Sequence, residues 1–273
     1  MLAAQRNLIL RGGIAPCPQA VAFLARSQLI DSRHRAAYIT LINGLVAAGV
    51  WSLFDALWIF ATQNSQTSFL NLCSSSFAGA LFTASVAASF TADQGWTTTS
   101  TGVLAPNWNP STGGVVYTQD SGSMGVYVLT NDTANTTKTE MGAATSVGNK
   151  DAELNANFSL VSKFIMNDGT FSSTVASTTS KGLWAISRTA SNARAMYGSS
   201  GSSTAIISDT QASTGLGTNG LIIGARNIGA GISNPTSHQY AAAWVGAGIT
   251  GAQYATISFW INQYMKTMGC NVF

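Results

Sequence analysis

The chain has 273 residues, of which only 8% are charged, and it contains 27 glycines. An ordinary globular protein carries about 25% charged residues, so the solubility of this chain must depend on hydroxyl and amide side chains. This composition argues against a typical charged globular protein and favours a rigid β protein on an exposed surface, in one large domain or two smaller ones.

The basic excess is confined to the N-terminal region. Five arginines and one aspartate lie in the first 35 residues, and the remainder of the chain holds 8 basic and 9 acidic residues. Residues 1–30 are therefore interpreted as a basic anchoring arm, with Arg6, Arg11 and Arg26 as docking residues. The arm has no lysine and only Phe23 to stack on bases, which favours an acidic protein surface over nucleic acid. The alternative is an ordinary solvated extension.

Residues 36–54 form a stretch of 19 residues without a charged side chain, which is long enough for a membrane-spanning helix. Polar residues and glycines dilute it, and its apolar positions have helical spacing. The pattern predicts an amphipathic helix over residues 32–48, capped by Asp31 or Ser32 and ended by Gly49. A shorter helix begun by Pro18 is expected before it. The apolar face of the longer helix comprises Tyr38, Leu41, Ile42, Leu45 and Val46.

After Gly49 the hydrophobic period changes to that of strands. Residues 56–60 are apolar throughout, which predicts a strand buried on both faces. Further short apolar segments follow, separated by clusters of Gly, Asn, Asp and Ser, and such spacing predicts an antiparallel sandwich. These segments are residues 68–73, 114–119, 125–130, 158–166, 182–188, 193–198, 204–208, 221–226 and 240–246.

The glycines from Gly215 to Gly220 spell the G-x-G-x-x-G pattern of a dinucleotide-binding turn. That chemistry requires a strand before the turn and a helix after it. A polar stretch precedes the pattern and a short β-branched run follows it. We therefore expect a glycine-rich turn leading into a strand, with no nucleotide cofactor.

A second long helix is predicted near the C-terminus. Thr250 and Gln253 match a capping box, and Gly269 supplies the end of the helix. Apolar side chains recur along one face between Tyr254 and Met268, including Ile257 and Ile261. This helix should pack on the sandwich and close it.

The sequence offers no set of residues for a metal site or a disulfide framework. Cys73 is expected to be a buried thiol, while Cys17 and Cys270 could pair within or between chains. His34 and His238 have no cysteine or acid at ligand spacing. No metal and no other cofactor is predicted.

The acidic residues argue against catalysis. Glu140 and Glu153 are the only glutamates, and they lie 13 residues apart in polar segments, where solvated carboxylates are expected. Glycoside hydrolysis requires two carboxyl groups that flank the scissile bond. We predict that the chain is not an enzyme.

The order of several segments resembles the concanavalin A-like (laminin-G-like) jelly-roll domains of tailed-bacteriophage virion proteins. The resemblance covers about residues 36–268 and depends on "SFTADQGW", "NPSTGGVVYTQDSGSMGVYV", "ISRTASNARAMYG", "GLIIGARN" and the segment from "AAAWVGAGITGAQYATISFW" onward. It implies a mainly β antiparallel sandwich (jelly roll) over residues 31–273, with an N-terminal arm and helix and a C-terminal closing helix. Relatives that hydrolyse glucans carry Glu-x-Asp-x-x-Glu on one strand, and this chain lacks that run.

The resemblance implies a non-enzymatic virion structural protein, made in the host cytoplasm and exposed on the particle as capsid decoration or as part of the tail. Its partners would be other virion proteins, with several copies in the particle and no membrane span. A receptor-binding or glycan-binding appendage is the alternative, with Trp96 and Trp108 as candidate sugar contacts because an indole face stacks on sugar rings. A glycoside hydrolase is the third hypothesis, disfavoured by the missing acidic pair.

Overall fold

The structure, a computed structural model, describes residues 15–27, 30–82, 87–145 and 150–273. Four α-helices and a short 3-10 turn accompany the strands in these residues. The helices are α1 (Pro18–Arg26), α2 (Ser32–Ala47), α3 (Ser65–Ser68) and α4 (Gly251–Met268). The strands are β1 (Phe54–Ile59), β2 (Ala80–Phe82), β3 (Ser89–Thr91), β4 (Gly95–Thr97), β5 (Val103–Ala105), β6 (Gly122–Val128), β7 (Met141–Ala143), β8 (Asp151–Phe158), β9 (Val161–Asp168), β10 (Val175–Ala176), β11 (Gly182–Ala190), β12 (Ala193–Tyr197), β13 (Ala205–Asp209), β14 (Ile222–Ile223), β15 (Arg226–Asn227), β16 (Ile232–Ser233) and β17 (Gln239–Gly246).

The strands form two sheets, which confirms the predicted sandwich. Sheet A runs in the order β13-β12-β11-β6-β17-β4-β3, with β1 also paired to β17. Sheet B runs in the order β10-β9-β8-β7-β14-β5-β2, with the small β15–β16 hairpin attached through β7. All pairs are antiparallel except β15 with β7. The mainly β jelly-roll class expected from the sequence is thus the observed class.

The two larger hydrophobic cores divide the molecule into three layers. One core lies between the sheets and includes Trp58, Val126 and Ile186 from sheet A with Leu154 and Phe164 from sheet B. The other lies between sheet A and the helices α1, α2 and α4. Because β1 has a core on each side, all six of its residues are buried, as predicted for this segment.

Helix α2 has the predicted boundaries. The carboxylate of Asp31 accepts a hydrogen bond from the backbone N–H of His34, and Gly49 follows the helix with φ of +72°. The helix packs closely on α4, since the indole of Trp260 occupies the space that a side chain at Gly44 would fill. No helix in the described ranges is long and apolar enough to cross a membrane.

Helix α4 closes the outer face of sheet A as predicted. Thr250 and Gln253 form the capping box, and Gly269 ends the helix with φ of +79°. Ile257 and Ile261 are fully buried in the core shared with α2 and sheet A. The local sequence signals therefore specified both ends of this helix.

Two predicted strands are irregular segments instead, and side chains explain both. In residues 114–119, the backbone N–H groups of Val115, Val116 and Tyr117 donate to the carboxylate of Asp55 at 2.7, 2.9 and 2.9 Å. In residues 68–73, the amide of Asn71 bonds to five backbone or hydroxyl groups around it. In each segment a polar side chain takes the hydrogen bonds that a neighbouring strand would otherwise make.

Two other segments match the prediction in part. The apolar run of residues 158–166 is divided by Ser159 and Leu160, which both have positive φ and form the turn between β8 and β9. Residues 215–220 have no regular structure and lead directly into β14, so they form the predicted turn before a late strand.

Part of the segment assigned to the arm belongs to the folded domain. Phe23 is fully buried, and its ring lies 4.6 Å from that of Tyr38 on α2. The side chain of Asn43 bonds to the carbonyl of Ala15 and to the N–H of Cys17 at 2.9 Å each. Residues 15–27 therefore pack on the sandwich domain. The thiols of all three cysteines are free.

Candidate functional site

Trp96, predicted to contact a sugar, lies in the sandwich core on β4. Its side chain is 6% exposed and its ring stacks on Phe69 with 4.9 Å between centroids. Its indole N–H donates to the hydroxyl of Ser68 at 2.9 Å. Both the ring and its N–H group already have partners, so Trp96 has too little exposed surface to stack on a sugar ring.

Trp108, the second predicted sugar contact, is also a core residue. It is 1% exposed and meets Tyr117 edge to face at 4.9 Å. The hydroxyl of Tyr117 donates in turn to the side-chain oxygen of Asn167 at 2.6 Å. The sequence showed aromatic residues in polar surroundings, but it did not show that a loop held by Asp55 folds over this ring.

The three predicted docking arginines have different outcomes in the structure. Arg6 and Arg11 lie outside the described residues. Arg26 ends α1, and its guanidinium donates to the carbonyls of Asn71, Leu72 and Ser74 at 2.9, 3.0 and 2.5 Å. Arg26 thus holds a loop of its own chain, which removes it from the predicted set of docking residues.

The glutamates, expected to be solvated, are both fully buried. Glu140 accepts from His238 Nδ1 at 2.9 Å and from the hydroxyl of Tyr240 at 2.7 Å. Glu153 accepts from Arg226 at 3.0 Å and from the hydroxyl of Thr139 at 3.1 Å. The expectation was wrong because these partners come from segments distant in sequence.

His238 joins two carboxylates. Its Nε2 lies 3.0 Å from Asp132, which also pairs with Lys138, while its Nδ1 faces Glu140. Burial of the imidazole opposes its charge, but the Glu140 carboxylate and the hydrogen bonds to Glu140 and Asp132 outweigh burial and raise the pKa of His238. Burial would raise the pKa of Asp132, but hydrogen bonds from Lys138 and His238 lower it. The arrangement stabilises a charged cluster that ties the β6–β7 connection to the segment before β17.

A second buried ion cluster lies between the sheets at one end. Arg188 and Arg194 share the carboxylate of Asp168 at 2.8 and 2.7 Å, and Arg194 also pairs with Asp209 at 2.6 Å. The remaining donors of Arg188 bond to backbone carbonyls, including those of Met166 and Ser191. Since both guanidinium groups are buried and fully paired, this cluster fixes loops and offers no free charge to a ligand.

All ten carboxylate side chains of the chain are engaged within the fold. Each accepts a hydrogen bond or forms an ion pair, although Asp31 does so only with His34 of the helix that it caps, and Asp31 and Asp120 are exposed. These acids are Asp31, Asp55, Asp93, Asp120, Asp132, Glu140, Asp151, Glu153, Asp168 and Asp209. Within the described residues, no group of three or more His, Cys, Asp and Glu side chains could hold a metal ion.

A groove of about 290 Å³ is the candidate ligand site, and the Arg194–Asp209 ion pair is part of its lining. It lies over β11, β12 and β13 beside Ile249, just before α4. The side chains of Thr189, Asn192, Ser208 and Thr210 line it and make no hydrogen bond to the described parts of the chain. Such hydroxyl and amide groups could bond to a neutral polar ligand.

Comparisons with known proteins support the fold. Neither a protein-family model nor a curated protein matches the sequence. Domain 4 of the extracellular GH43 arabinanase AbnA from Geobacillus stearothermophilus, in complex with arabinotriose, matches with a TM-score of 0.50 and 12% identity, over 75% of this chain and 98% of that domain.

Two further solved structures are similar at a lower level. A mutant of Trypanosoma rangeli sialidase with trans-sialidase activity matches with a TM-score of 0.48 and 8% identity, over 83% of this chain and 38% of the sialidase. The CBM40 of Ruminococcus gnavus IT-sialidase, bound to α2,3-sialyllactose, matches with a TM-score of 0.38 and 9% identity, over 51% of this chain and 82% of that one. The arabinanase domain agrees with a jelly-roll sandwich of the concanavalin A-like kind; at these identities the comparisons concern the fold alone.

Proposed function

We propose that the chain is a non-enzymatic structural protein of a bacteriophage particle, with its sandwich exposed on the particle surface and its N-terminal segment bound to other virion proteins. The observation that carries this proposal is that eight of the ten carboxylates are buried or ion-paired in contacts that hold the fold together, while Asp31 caps a helix and Asp120 accepts from Ser213. A catalytic acid must reach its substrate, and here the acids bind neighbouring strands and loops. A particle protein needs a rigid domain, and these contacts favour rigidity.

We assign the attachment to residues 1–14. This region holds Arg6 and Arg11, whereas Arg26 is bonded inside the domain and Arg33 pairs with Asp93. We therefore limit the proposed attachment segment to residues 1–14 of the predicted arm (residues 1–30), because α1 packs on α2. In the particle, the expected partners are capsid or tail proteins that offer an acidic surface.

The test is deletion of residues 1–14 in a phage that carries the gene, with the protein measured in purified particles. We expect the shortened protein to keep its melting temperature and to be absent from particles. The double variant Arg6→Gln/Arg11→Gln is the matched control, and it should reduce incorporation if charge makes the contact. Incorporation of the shortened protein at the normal level would mean that the sandwich makes the attachment, and absence of the intact protein from particles would overturn the proposal.

The non-enzymatic part has its own test. The purified protein should release no reducing ends from a panel of polysaccharides. If the protein releases sugar, and if Glu153→Gln abolishes this release without loss of fold, the chain is a glycoside hydrolase.

Glycan binding is the second candidate, favoured by the likeness to an arabinanase domain solved with arabinotriose and by the hydroxyl and amide groups that line the groove on sheet A. Titration calorimetry with arabinotriose tests it. Saturable binding that Asn192→Ala weakens while the melting temperature stays constant would support the groove as the site. A flat titration would remove arabinotriose as a ligand of the groove.

A further inference from the structure

The free end of sheet B exposes apolar side chains close together. Strand β10 is the terminal strand of this sheet and pairs only with β9 in the described part of the chain. Val175 on β10, Phe171 just before it and Leu160 in the β8–β9 turn are 39%, 37% and 41% exposed. The N–H of Ser177 donates to the carbonyl of Leu160 at 2.9 Å, which joins the turn to this edge. Exposed apolar side chains grouped at an open sheet edge are typical of an interaction surface.

The turn itself is unusual for its sequence. Ser159 and Leu160 have φ of +52° and +66° between the paired residues Phe158 and Val161. Two-residue hairpin turns with both φ values positive strongly favour Asn and Gly. A leucine here is in a disfavoured backbone conformation and gains little burial in return. Its presence is explained if the side chain is needed at the surface.

A lysine lies beside Phe171 at this edge and makes no ion pair within the described part of the chain. The ammonium Nζ of Lys163 is 3.7 Å from the ring centroid of Phe158 and 3.8 Å from that of Phe171. It makes no hydrogen bond or ion pair to the described residues. The nearby carboxylate of Glu153 is already bound by Arg226 and Thr139. Burial lowers the pKa of Lys163 and outweighs the opposing charge of Glu153, while Arg226 adds to the lowering. This cation has therefore lost hydration without gaining a direct ion pair from the residues that the structure describes.

We propose that this edge, formed by Leu160, Lys163, Phe171 and Val175, binds an extended segment of another protein in which a carboxylate is flanked by apolar side chains. The carboxylate pairs with Lys163, the apolar side chains cover Leu160 and Phe171, and the backbone of the segment adds to β10. Charge complementarity favours a different protein over a second copy, because eight of the ten carboxylates of this chain are buried or ion-paired in its own fold, and neither of the exposed ones, Asp31 and Asp120, lies between two apolar residues.

A random heptapeptide library selected against the full chain tests the proposal independently of any particle. We expect enrichment of peptides with Asp or Glu between apolar residues. Lys163→Met keeps the length of the side chain and should weaken a selected peptide about 10-fold or more, as loss of one charged hydrogen bond predicts. The matched control is Val115→Ala, since Val115 is 86% exposed and lies outside this edge; it should leave binding unchanged.

Leu160→Gly separates binding from folding. Glycine suits the positive φ of the turn, so the melting temperature should not fall, while peptide affinity should. The proposal is overturned if no peptide is enriched, if enriched peptides lack acids, or if Lys163→Met binds as tightly as the parent protein. Sedimentation that shows a dimer dissociated by Lys163→Met would also overturn it, by assigning the edge to a second copy.

Discussion

Replacement of Ile261 by alanine tests the packing of α4 on the sandwich. Ile261 is fully buried in the core between α4, α2 and sheet A. The change removes three carbon atoms, which at about 0.8 kcal/mol each gives about 2.4 kcal/mol of lost transfer free energy. The cavity left in a core held by rigid strands adds to this, so the free energy of unfolding should fall by about 2 to 5 kcal/mol.

Urea denaturation followed by tryptophan fluorescence and by circular dichroism measures the effect. Thr250→Ala is the comparison within the same helix, because it removes only the capping hydroxyl and should cost about 0.5 to 2 kcal/mol. Ile261→Ala should therefore be the more damaging of the two, with an unchanged denaturant slope. If Ile261→Ala melted like the parent protein, α4 would be loosely held and its apolar face would require another explanation.

Three further outcomes are expected. Asp55→Asn should lower the free energy of unfolding, measured in urea, by about 1.5 to 3 kcal/mol, because an amide N–H₂ replaces one charged oxygen that accepts backbone hydrogen bonds. An effect near zero would contradict the role given to this loop. Because the pKa of His238 is raised, its contribution to stability is complete below its ordinary pKa of 6.5 and is lost as pH rises through its pKa in the folded protein. Melting temperatures measured from pH 5 to 9 should show this fall, and His238→Gln should remove the pH dependence. Gly44→Ala should lower the melting temperature although alanine favours helices, because its methyl group overlaps an indole; a higher melting temperature would refute the close packing of α2 on α4.

Features set by neighbouring residues were predictable from the sequence. Asp31 and Thr250 cap the helices that follow them, and Gly269 ends α4, because each signal acts within one helical turn. The alternation of apolar and polar segments likewise predicted the sandwich.

The charged clusters could not be predicted in the same way. Glu140 meets His238 from 98 residues away, and Glu153 meets Arg226 from 73 residues away. A carboxylate in a polar segment has the same local sequence whether it is solvated or paired, and only the assembled sheets bring its partner to it. The burial of Trp108 has the same origin, since the loop that covers it is fixed by Asp55, which lies on β1.

The position of β17 bears on how the chain folds during synthesis. This late strand pairs with β1, β4 and β6, so the apolar segment Phe54–Ile59 has only an isolated bridge from Trp58 to Asn71 beside it until residues 239–246 leave the ribosome. Pairing between such distant segments slows folding, because a long loop must close before any contact stabilises it. Through most of translation the nascent chain therefore presents a hydrophobic strand without its main partner strand, and such a strand can aggregate. Expression should depend on translation speed and chaperone supply, and chains that stop before residue 239 should be insoluble or degraded.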